Sequence, residues 1–326
     1  MSAMRGRAGW LCVVVAIAAC GHDKPVDAPR VEPLPTTPGD KLLAMLPQGA
    51  QVVVEIDLAR LRANPVIGAV VTDALAARSV SLPDGVPAPP LAGAAQLVLA
   101  AYGVGTAQAA TLTLLAAPQD VPGTTKISDG FFALGPPAWV EQVQNRVSLA
   151  STGETKFAIR APGELLALRE HAVPPGAPGA SLRVTAMLPF DARVALARQT
   201  GLDSAPAQIS AWADVADDLA LIVDCDASDP GNRAAPGKKS DAPRRLEAML
   251  RGALAAVADQ PAVRALGLPS SLGNAKIITR GTWVRAIVAI GPAHLKRVVE
   301  RAAKLLHAPG NDEQAPVPPS TGDPAS

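Results

Sequence analysis

The chain has 326 residues, of which 48% are hydrophobic and 3% are aromatic. That length suffices for one large domain or two small ones, and the scarcity of aromatic side chains excludes a surface that stacks bases or sugars on rings. The formal net charge of +1 provides no overall positive field, so the composition indicates no nucleic-acid partner.

The first 19 residues have the pattern of an export signal. Arg5 and Arg7 precede the uncharged run WLCVVVAIAA over 10–19, which matches a positive n-region followed by an apolar h-region. Because a helix needs about 20 apolar residues to span a bilayer, this short run does not favour a permanent transmembrane helix. The run ends at Ala19, directly before Cys20.

The end of this run resembles the lipobox of bacterial lipoproteins. Ile17-Ala18-Ala19-Cys20 supplies an aliphatic residue, two small residues and a cysteine, which match the box at all four positions. The resemblance implies cleavage after Ala19, a diacylglyceryl group on the Cys20 thiol, and acylation of the new amino terminus, for example by palmitate. Two or three acyl chains would hold the protein far more firmly than one chain, which binds only reversibly. An ordinary secretory signal and an uncleaved anchor are the alternatives.

The residue after the cysteine bears on localisation. Gly21 follows Cys20, whereas an Asp at this position retains well-studied lipoproteins on the inner membrane. The resemblance therefore implies a lipid-anchored protein of the cell envelope, on the periplasmic face of the outer membrane.

Proline-rich polar segments flank the part of the chain that is predicted to fold. Residues 20–39 lack hydrophobic periodicity and predict an extended, lipidated tether. Residues 308–326 have the same character and predict a disordered tail. The residues between them are predicted to form two α+β halves, 40–178 and 179–307.

Strand and helix patterns alternate through the first half. The run AQVVVEIDL from Ala50 predicts a strand, and a helix is expected over 65–77. The segment around Gly103 and Gly105 predicts a β-hairpin. More strand follows in TKISDGFFALGP, and Pro136-Pro137 are expected to open a helix, since proline is tolerated in a first turn.

The second half repeats this order. SLRVTAML predicts a strand, PFDARVALARQTG a helix, AQISAWADVADDLALIVDCDA a hairpin, and AKIITRGTWVRAIVAIGP further strand before a last helix. Strands led by Lys126 and Lys276 precede Gly135-Pro136 and Gly291-Pro292, which open the closing helices. We therefore predict an α+β fold: two diverged strand–helix–hairpin–strand–helix halves from an internal duplication, with largely antiparallel sheets covered by amphipathic helices.

The second half also contains an insertion over 228–266. A loop rich in proline and glycine is followed by Leu246, Leu250 and Val257 at helical spacing, which predicts a long helix ending near Leu266. The helix is expected to cover one face of the sheet. The alternative is a movable lid over an apolar groove.

No catalytic motif is present. The sequence lacks Cys-x-x-Cys and His-Glu-x-x-His metal spacings, GLPSSLG over 267–273 lacks the spacing of a nucleophile elbow, and YGVGTAQ over 102–108 lacks the third glycine of a dinucleotide site. His171 and His294 are interpreted as solvated surface residues. We predict no catalytic residue, no cofactor and no metal site, and hence not an enzyme.

An acidic stretch is the best remaining signal for a bound ion. Calcium prefers several carboxylates on a flexible loop, but the sixth and twelfth positions of an EF-hand loop would hold Asp229 and Ala235, which excludes that motif. A polar strand end is the favoured interpretation, and a calcium site of another kind stays open. The acidic residues are Asp217, Asp218, Asp224, Asp226 and Asp229.

Only one cysteine is expected to stay free. Cys12 would leave with the signal and Cys20 would carry lipid, so Cys225 has no disulfide partner. Cys225 alternates with Leu221 and Val223 on one face of a predicted strand. We predict that it is buried as a small hydrophobic residue.

The expected function follows from the anchor and from the lack of catalytic motifs. The opening LPQGAQVVVEIDLARLRANP over 46–65 also resembles the start of bacterial envelope lipoproteins with no assigned activity. We expect a membrane-anchored periplasmic lipoprotein that is not catalytic and that binds a protein partner or helps organise the cell envelope. The alternatives are a carrier of an apolar ligand such as a lipid, and an enzyme whose site is assembled from distant segments.

Overall fold

The computed structural model describes residues 37–76, 91–151, 163–177, 179–200, 205–228 and 241–307. The predicted signal peptide with Ala19, the lipidation site Cys20, most of the tether, Asp229 and the predicted tail over 308–326 lie outside the described residues. No helix in the described part of the chain is long and apolar enough to cross a membrane.

One antiparallel sheet of ten strands runs through the described residues, which confirms the predicted α+β class. Its order across the sheet is β4-β5-β3-β2-β1-β6-β7-β8-β10-β9. The strands are β1 (Val52–Asp57), β2 (Gln96–Tyr102), β3 (Ala110–Ala116), β4 (Thr125–Ser128), β5 (Phe131–Leu134), β6 (Leu182–Met187), β7 (Gln208–Val215), β8 (Leu219–Asp226), β9 (Lys276–Arg280) and β10 (Trp283–Ile290).

Helices cover both faces of this sheet. A short 3-10 turn, Leu91–Gly93, precedes β2. The α-helices are α1 (Pro38–Met45), α2 (Leu58–Ala63), α3 (Gly68–Ala76), α4 (Pro137–Ser151), α5 (Gly163–Arg169), α6 (Phe190–Thr200), α7 (Ala242–Ala258), α8 (Pro261–Leu266), α9 (Pro269–Gly273) and α10 (Pro292–Leu306).

The strand order repeats about a central seam, as the predicted duplication requires. Read outward from the β1–β6 pair, β1-β2-β3-β5-β4 and β6-β7-β8-β10-β9 have the same order. Val54 pairs with Val184 at this seam. If these two valines are equivalent, the registers make Gln96, which begins β2, equivalent to Gln208, which begins β7.

Local sequence explains where several elements begin. The Thr37 side chain accepts a hydrogen bond from the backbone N–H of Asp40, and Pro38 occupies the first turn, so α1 begins with a capping box. Gly103 and Gly105 have φ of 59° and 81° in the β2–β3 connection, a region that glycine enters at little cost. The predicted hairpin between these strands is confirmed.

The helices differ from prediction in two respects. The predicted helix from Leu246 to Leu266 is divided into α7 and α8, because Pro261 has no N–H for a continuing helix and instead opens α8. Helices α1, α2 and α9 were not predicted, since each is only five to eight residues long and too short for a clear hydrophobic period. The helix expected over 65–77 is observed as α3.

The two faces of the sheet are here called front and back. Residues of a strand alternate between faces, and paired residues of neighbouring strands share a face. Val53 defines the front, where it packs with Val143 of α4 and Leu165 of α5. Leu58 of α2 and Leu246 of α7 pack on the back. Helices α1, α4 and α5 therefore cover the front, and α2, α3, α6, α7 and α10 cover the back.

Candidate functional site

A cleft opens on the front face where the two halves meet. Its volume is about 410 Å³, a size typical of small-molecule sites. Strands β1, β2 and β6 form its floor, and residues at the start of α1 and at the end of α5 line its sides. Charged side chains dominate the lining: Asp40, Glu55, Asp57, Arg60, Arg169, Glu170 and Arg183.

Arg169 forms a bidentate ion pair with Glu55 in the cleft. Its Nε donates to Glu55 Oε1 at 2.7 Å and its Nη2 donates to Glu55 Oε2 at 2.8 Å. Both side chains are largely buried, with exposed fractions of 14% and 12%. Burial opposes the charge of Arg169, but the bonds to Glu55 outweigh it and raise the pKa of Arg169. This bidentate pair fixes α5 to β1.

Arg183 is less well compensated than Arg169. It lies directly opposite Glu55 in the β1–β6 pairing, and its Nη1 donates to Glu170 Oε1 at 3.2 Å. Arg169 Nη1 donates to the same oxygen, also at 3.2 Å. The Nε of Arg183 is buried and has no hydrogen-bond partner among the described residues. Burial, and then the neighbouring charge of Arg169, lower the pKa of Arg183.

A second bidentate pair closes the other end of the cleft. Arg60 of α2 donates from Nε to Asp214 Oδ1 at 2.8 Å and from Nη2 to Asp214 Oδ2 at 2.6 Å. Ser181 Oγ also donates to Asp214 Oδ1, at 2.8 Å. Burial would raise the pKa of Asp214, but the bonds from Arg60 and Ser181 outweigh it and lower the pKa. This pair ties the first half to β7 of the second half.

Another polar network lies on the front of the second half. Arg285 donates to both carboxylate oxygens of Asp224, at 2.7 and 2.6 Å, and the bonds to Asp224 raise the pKa of Arg285. His171 Nδ1 lies 2.8 Å from Asp224 Oδ2, and its ring stacks on Trp283 with centroids 3.8 Å apart. His171 is therefore held by specific partners, while its side chain stays 38% exposed, as the surface interpretation expects.

His294 is also bound rather than freely solvated. Its Nδ1 lies 3.1 Å from Ser271 Oγ and its Nε2 lies 2.8 Å from the carbonyl oxygen of Gly267. These contacts join the start of α10 to α9. GLPSSLG therefore contributes a helix-to-helix contact, and no strand runs into a turn at Ser271 as a nucleophile elbow requires.

The acidic stretch does not come together as one site. Asp217 and Asp218 lie in the turn before β8, while Asp224 and Asp226 lie at its other end. Asp224 is occupied by Arg285, and Asp226 accepts a hydrogen bond from Ser228. Within the described ranges, no group of three or more acidic, histidine or cysteine side chains is placed to hold a metal ion.

Cys225 is buried, as the sequence predicts. Only 2% of it is exposed, and it packs with Leu246 and Val284 on the back. Burial, together with the charge of Asp224, raises the pKa of the Cys225 thiol to about 12. Since the thiolate is the reactive form, this cysteine acts as a core residue.

Sequence reasoning missed the charged cleft. Glu55 and Arg169 are separated by 114 residues, and Arg60 and Asp214 by 154, so no local spacing links the partners. The available signal was a charged residue in a buried strand, such as Glu55 in VVVEID, because a charge in such a place needs a partner.

Comparison with known proteins adds only a distant structural likeness. No protein-family model matches the chain, and no curated protein is a significant match. Crystal forms I and III of TP0453 are similar to 80% of this chain, with 8% sequence identity and a TM-score of 0.39. The match covers 96% and 97% of the TP0453 chains. This likeness is too weak to transfer a function.

Proposed function

We propose that this chain is a lipid-anchored protein of the cell envelope that binds a protein partner and does not catalyse a reaction. Cys20 would hold it on the periplasmic face of the outer membrane. The lipobox-like residues Ile17-Ala18-Ala19-Cys20 support the anchor. The cleft between the two halves supports partner binding.

The pairing of charged side chains in the cleft is the observation that supports the proposal. Glu55 is bound by Arg169, and Arg60 is bound by Asp214, in both cases through two hydrogen bonds. Such pairs fix the positions of charges before a partner arrives, which favours specific recognition.

The anchor is tested by replacing Cys20 with Ala in the full-length chain. The variant should lose labelling by a palmitate analogue and should remain uncut after Ala19, because the thiol is where the lipid would attach. Cys225→Ala is the matched control and should be labelled and processed normally, since Cys225 is buried. A mature, membrane-bound Cys20→Ala protein would contradict the anchor.

Partner binding is tested by site-specific photo-crosslinking in intact cells. A photo-reactive residue at Glu170, whose side chain is 56% exposed at the cleft, should capture a defined protein. The same residue at Phe190, which is 69% exposed and does not line the cleft, is the control and should not capture that protein. Equal capture at both positions, or capture at neither, would contradict partner binding in the cleft.

One observation favours a second candidate, the carrier of an apolar ligand. Leu221 and Val223 point to the helix layer on the back, yet both are only partly buried although β8 lies inside the sheet. Helix α7 covers this region with one fully buried residue, Leu246. Partly covered apolar surface inside a sheet suits an acyl chain.

Native mass spectrometry of gently purified protein tests this candidate. Bound lipid should appear in the unchanged protein, and Leu221→Lys should lower the bound fraction because a charge is costly in an apolar site. Leu305→Lys, on the exposed end of α10, is the matched control. A ligand-free spectrum of the unchanged protein would exclude the carrier.

A further inference from the structure

We propose that the cleft recognises a carboxylate group, which binds between Arg169 and Arg183 in the place that the Glu170 side chain occupies in this structure. This inference rests on the proposed function in one respect, because both place recognition in the same cleft. It adds the chemistry of what is recognised.

Glu170 behaves as a weakly held internal occupant of this place. A single oxygen, Oε1, accepts from both arginines at 3.2 Å, whereas Glu55 accepts at 2.7 and 2.8 Å through both of its oxygens. The Glu170 side chain is also 56% exposed. Because this carboxylate faces solvent and shares one oxygen between two donors, another anion can take its place.

Arg183 is the residue that an incoming anion would stabilise. Its side chain is only 16% exposed, and Glu170 is its one ion-pair partner among the described residues. Its Nε already lacks a hydrogen-bond partner there. Once Glu170 leaves, Arg183 loses its direct ion pair and is compensated only by the nearby charges of Glu55 and Asp40. A mostly buried cation in that position is stabilised by an incoming opposite charge.

A ligand carboxylate suits this place better than Glu170 does. A free carboxylate can present one oxygen to Arg169 and the other to Arg183, while Glu170 presents Oε1 alone. Burial, and then the charge of Arg169, lower the pKa of Arg183, which reflects the incomplete compensation of its charge. Planar carboxylates match the donor geometry of guanidinium groups.

The charge of the surrounding cleft favours a carboxylate over a phosphate. Asp40, Glu55 and Asp57 also line the cleft, and their negative charges would repel a dianion more strongly than a monoanion. The volume of about 410 Å³ admits either a small free carboxylate or the end of a peptide chain. The chemistry is shared by these two sources, so the experiment has to separate them.

The test measures binding of defined probes to the full-length protein by calorimetry. The probes are acetate, N-acetyl-trialanine with a free carboxyl terminus, the same peptide with an amidated terminus, and inorganic phosphate. Glu170→Gln should bind the two carboxylate probes about tenfold more tightly than the unchanged protein, because the internal competitor has lost its charge. Arg183→Met should bind neither.

Two variants outside the cleft serve as matched controls. Glu247→Gln and Arg264→Met change the same charges at ion pairs on α7 and α8, and both should bind as the unchanged protein does. A thermal melt of Arg183→Met separates loss of binding from loss of folding. If that variant is unfolded, Arg183→Lys replaces it and should bind at least tenfold more weakly, since a lysine cannot bind in the same planar manner.

The outcomes separate the carboxylate inference from the proposed function. Binding of the free peptide but not of acetate assigns the carboxylate to a chain terminus, and equal binding of acetate assigns it to a small molecule; both support the inference. Absence of binding to Glu170→Gln, no gain over the unchanged protein, or tighter binding of phosphate would overturn it. Failure of crosslinking at position 170 alongside carboxylate binding would remove only the protein partner.

Discussion

The two halves of the sheet place different chemistry at equivalent positions on the front. The registers that make Val54 equivalent to Val184 also make Leu114 of β3 equivalent to Asp224 of β8. Each is the middle member of a row of three residues that lie side by side on neighbouring strands, called the apolar row in the first half and the polar row in the second. The first half has Val98, Leu114 and Ala133 in this row, and the second half has Ser210, Asp224 and Arg285.

The last helix of each half explains why one half can have an apolar row on its front and the other half a polar row. Helices α4 and α10 each have 15 residues, and each begins at or directly after the proline of a Gly-Pro pair. Yet α4 packs on the front and α10 packs on the back, where Leu295 contacts Val215 and Ile290. The preceding glycines also differ, with φ of 158° at Gly135 and −68° at Gly291. The chain therefore leaves the two equivalent strands in different directions.

This difference shows how one half of a duplicated fold can carry polar residues on a face that is apolar in the other half. In the first half, α4 covers the front, where 15 buried residues form a hydrophobic cluster. In the second half the segment after α5 takes that place, and it satisfies the polar row directly: Ala172 N donates to Ser210 Oγ at 3.2 Å, and His171 pairs with Asp224. The charged cleft lies at the border between these two fronts.

The largest expected effect comes from truncating Leu114, the middle residue of the apolar row. Leu114→Ala should lower the free energy of unfolding by about 4 kcal/mol, because the side chain is fully buried and its removal leaves a cavity. Urea denaturation measures this. Leu305→Ala, at a site that is 46% exposed, should change stability by less than about 0.5 kcal/mol. Similar losses in the two variants would show that the front core is not as tightly packed as described.

The next effect tests whether the polar row can be made like the apolar one. Asp224→Leu should cost about 3 kcal/mol, because Arg285 loses the carboxylate that neutralises it. Adding Arg285→Ala recreates the leucine–alanine pair of the first half. The double variant should return to within about 1 kcal/mol of the unchanged protein in urea denaturation, since apolar replacements of buried ion pairs are often neutral.

The exposed pair of Arg264 and Asp259 is the control for this exchange. Their side chains are 63% and 72% exposed, so Asp259→Leu should cost no more than about 0.5 kcal/mol. If the double variant at Asp224 and Arg285 is no more stable than Asp224→Leu, the polar row stabilises the fold in a way that an apolar pair cannot replace.

A smaller effect is expected at the seam, where it should depend on pH. Asp214→Asn should cost about 2 kcal/mol at pH 7, because the bidentate bond from Arg60 is charge-assisted. The folded protein holds the pKa of Asp214 below its ordinary value of 3.8. This carboxylate therefore contributes stability that is complete above the ordinary pKa and is lost as pH falls through the lowered one.

Urea denaturation of the unchanged protein and of Asp214→Asn between pH 7 and pH 2, a range that extends well below the ordinary pKa of 3.8, measures this dependence. The two stabilities should converge as the solution becomes acidic. Asp259→Asn, at an exposed pair, should follow the unchanged protein throughout. A constant gap between Asp214→Asn and the unchanged protein would contradict the role of Asp214 at the seam.

The sequence predicted the strands well because their signals are local. Apolar runs such as VVVEID and QLVLAAY fix β1 and β2, and the similar Ala-Gln starts and Gly-Pro ends mark the repeat. Helix α2 was missed because a stretch of six residues carries too little periodicity. Nothing in the sequence shows that α4 and α10 cover opposite faces, since that depends on how each helix packs.

The cleft could not be predicted for a similar reason. Its bidentate ion pairs join residues 114 and 154 positions apart, and the Arg60–Asp214 pair crosses the seam. Pairings of that kind exist only once the sheet has formed. The polar row shows the same limit: Asp224 belonged to a noticed acidic stretch, but its partners Arg285 and His171 come from distant elements. Local patterns identified the charged residues without identifying what neutralises them.

The smallest expected effect concerns the position next to the polar row. Cys225 is equivalent to Leu115 of the first half by the same registers, and both point to the back, where they are almost fully buried. With the pKa of the Cys225 thiol raised to about 12, the native full-length protein should leave it unmodified by N-ethylmaleimide at pH 7.5, as read by peptide mass spectrometry. The same thiol should react completely in urea. Labelling of native Cys225 at the rate seen in urea would show that the back of the second half opens readily where the first half stays closed.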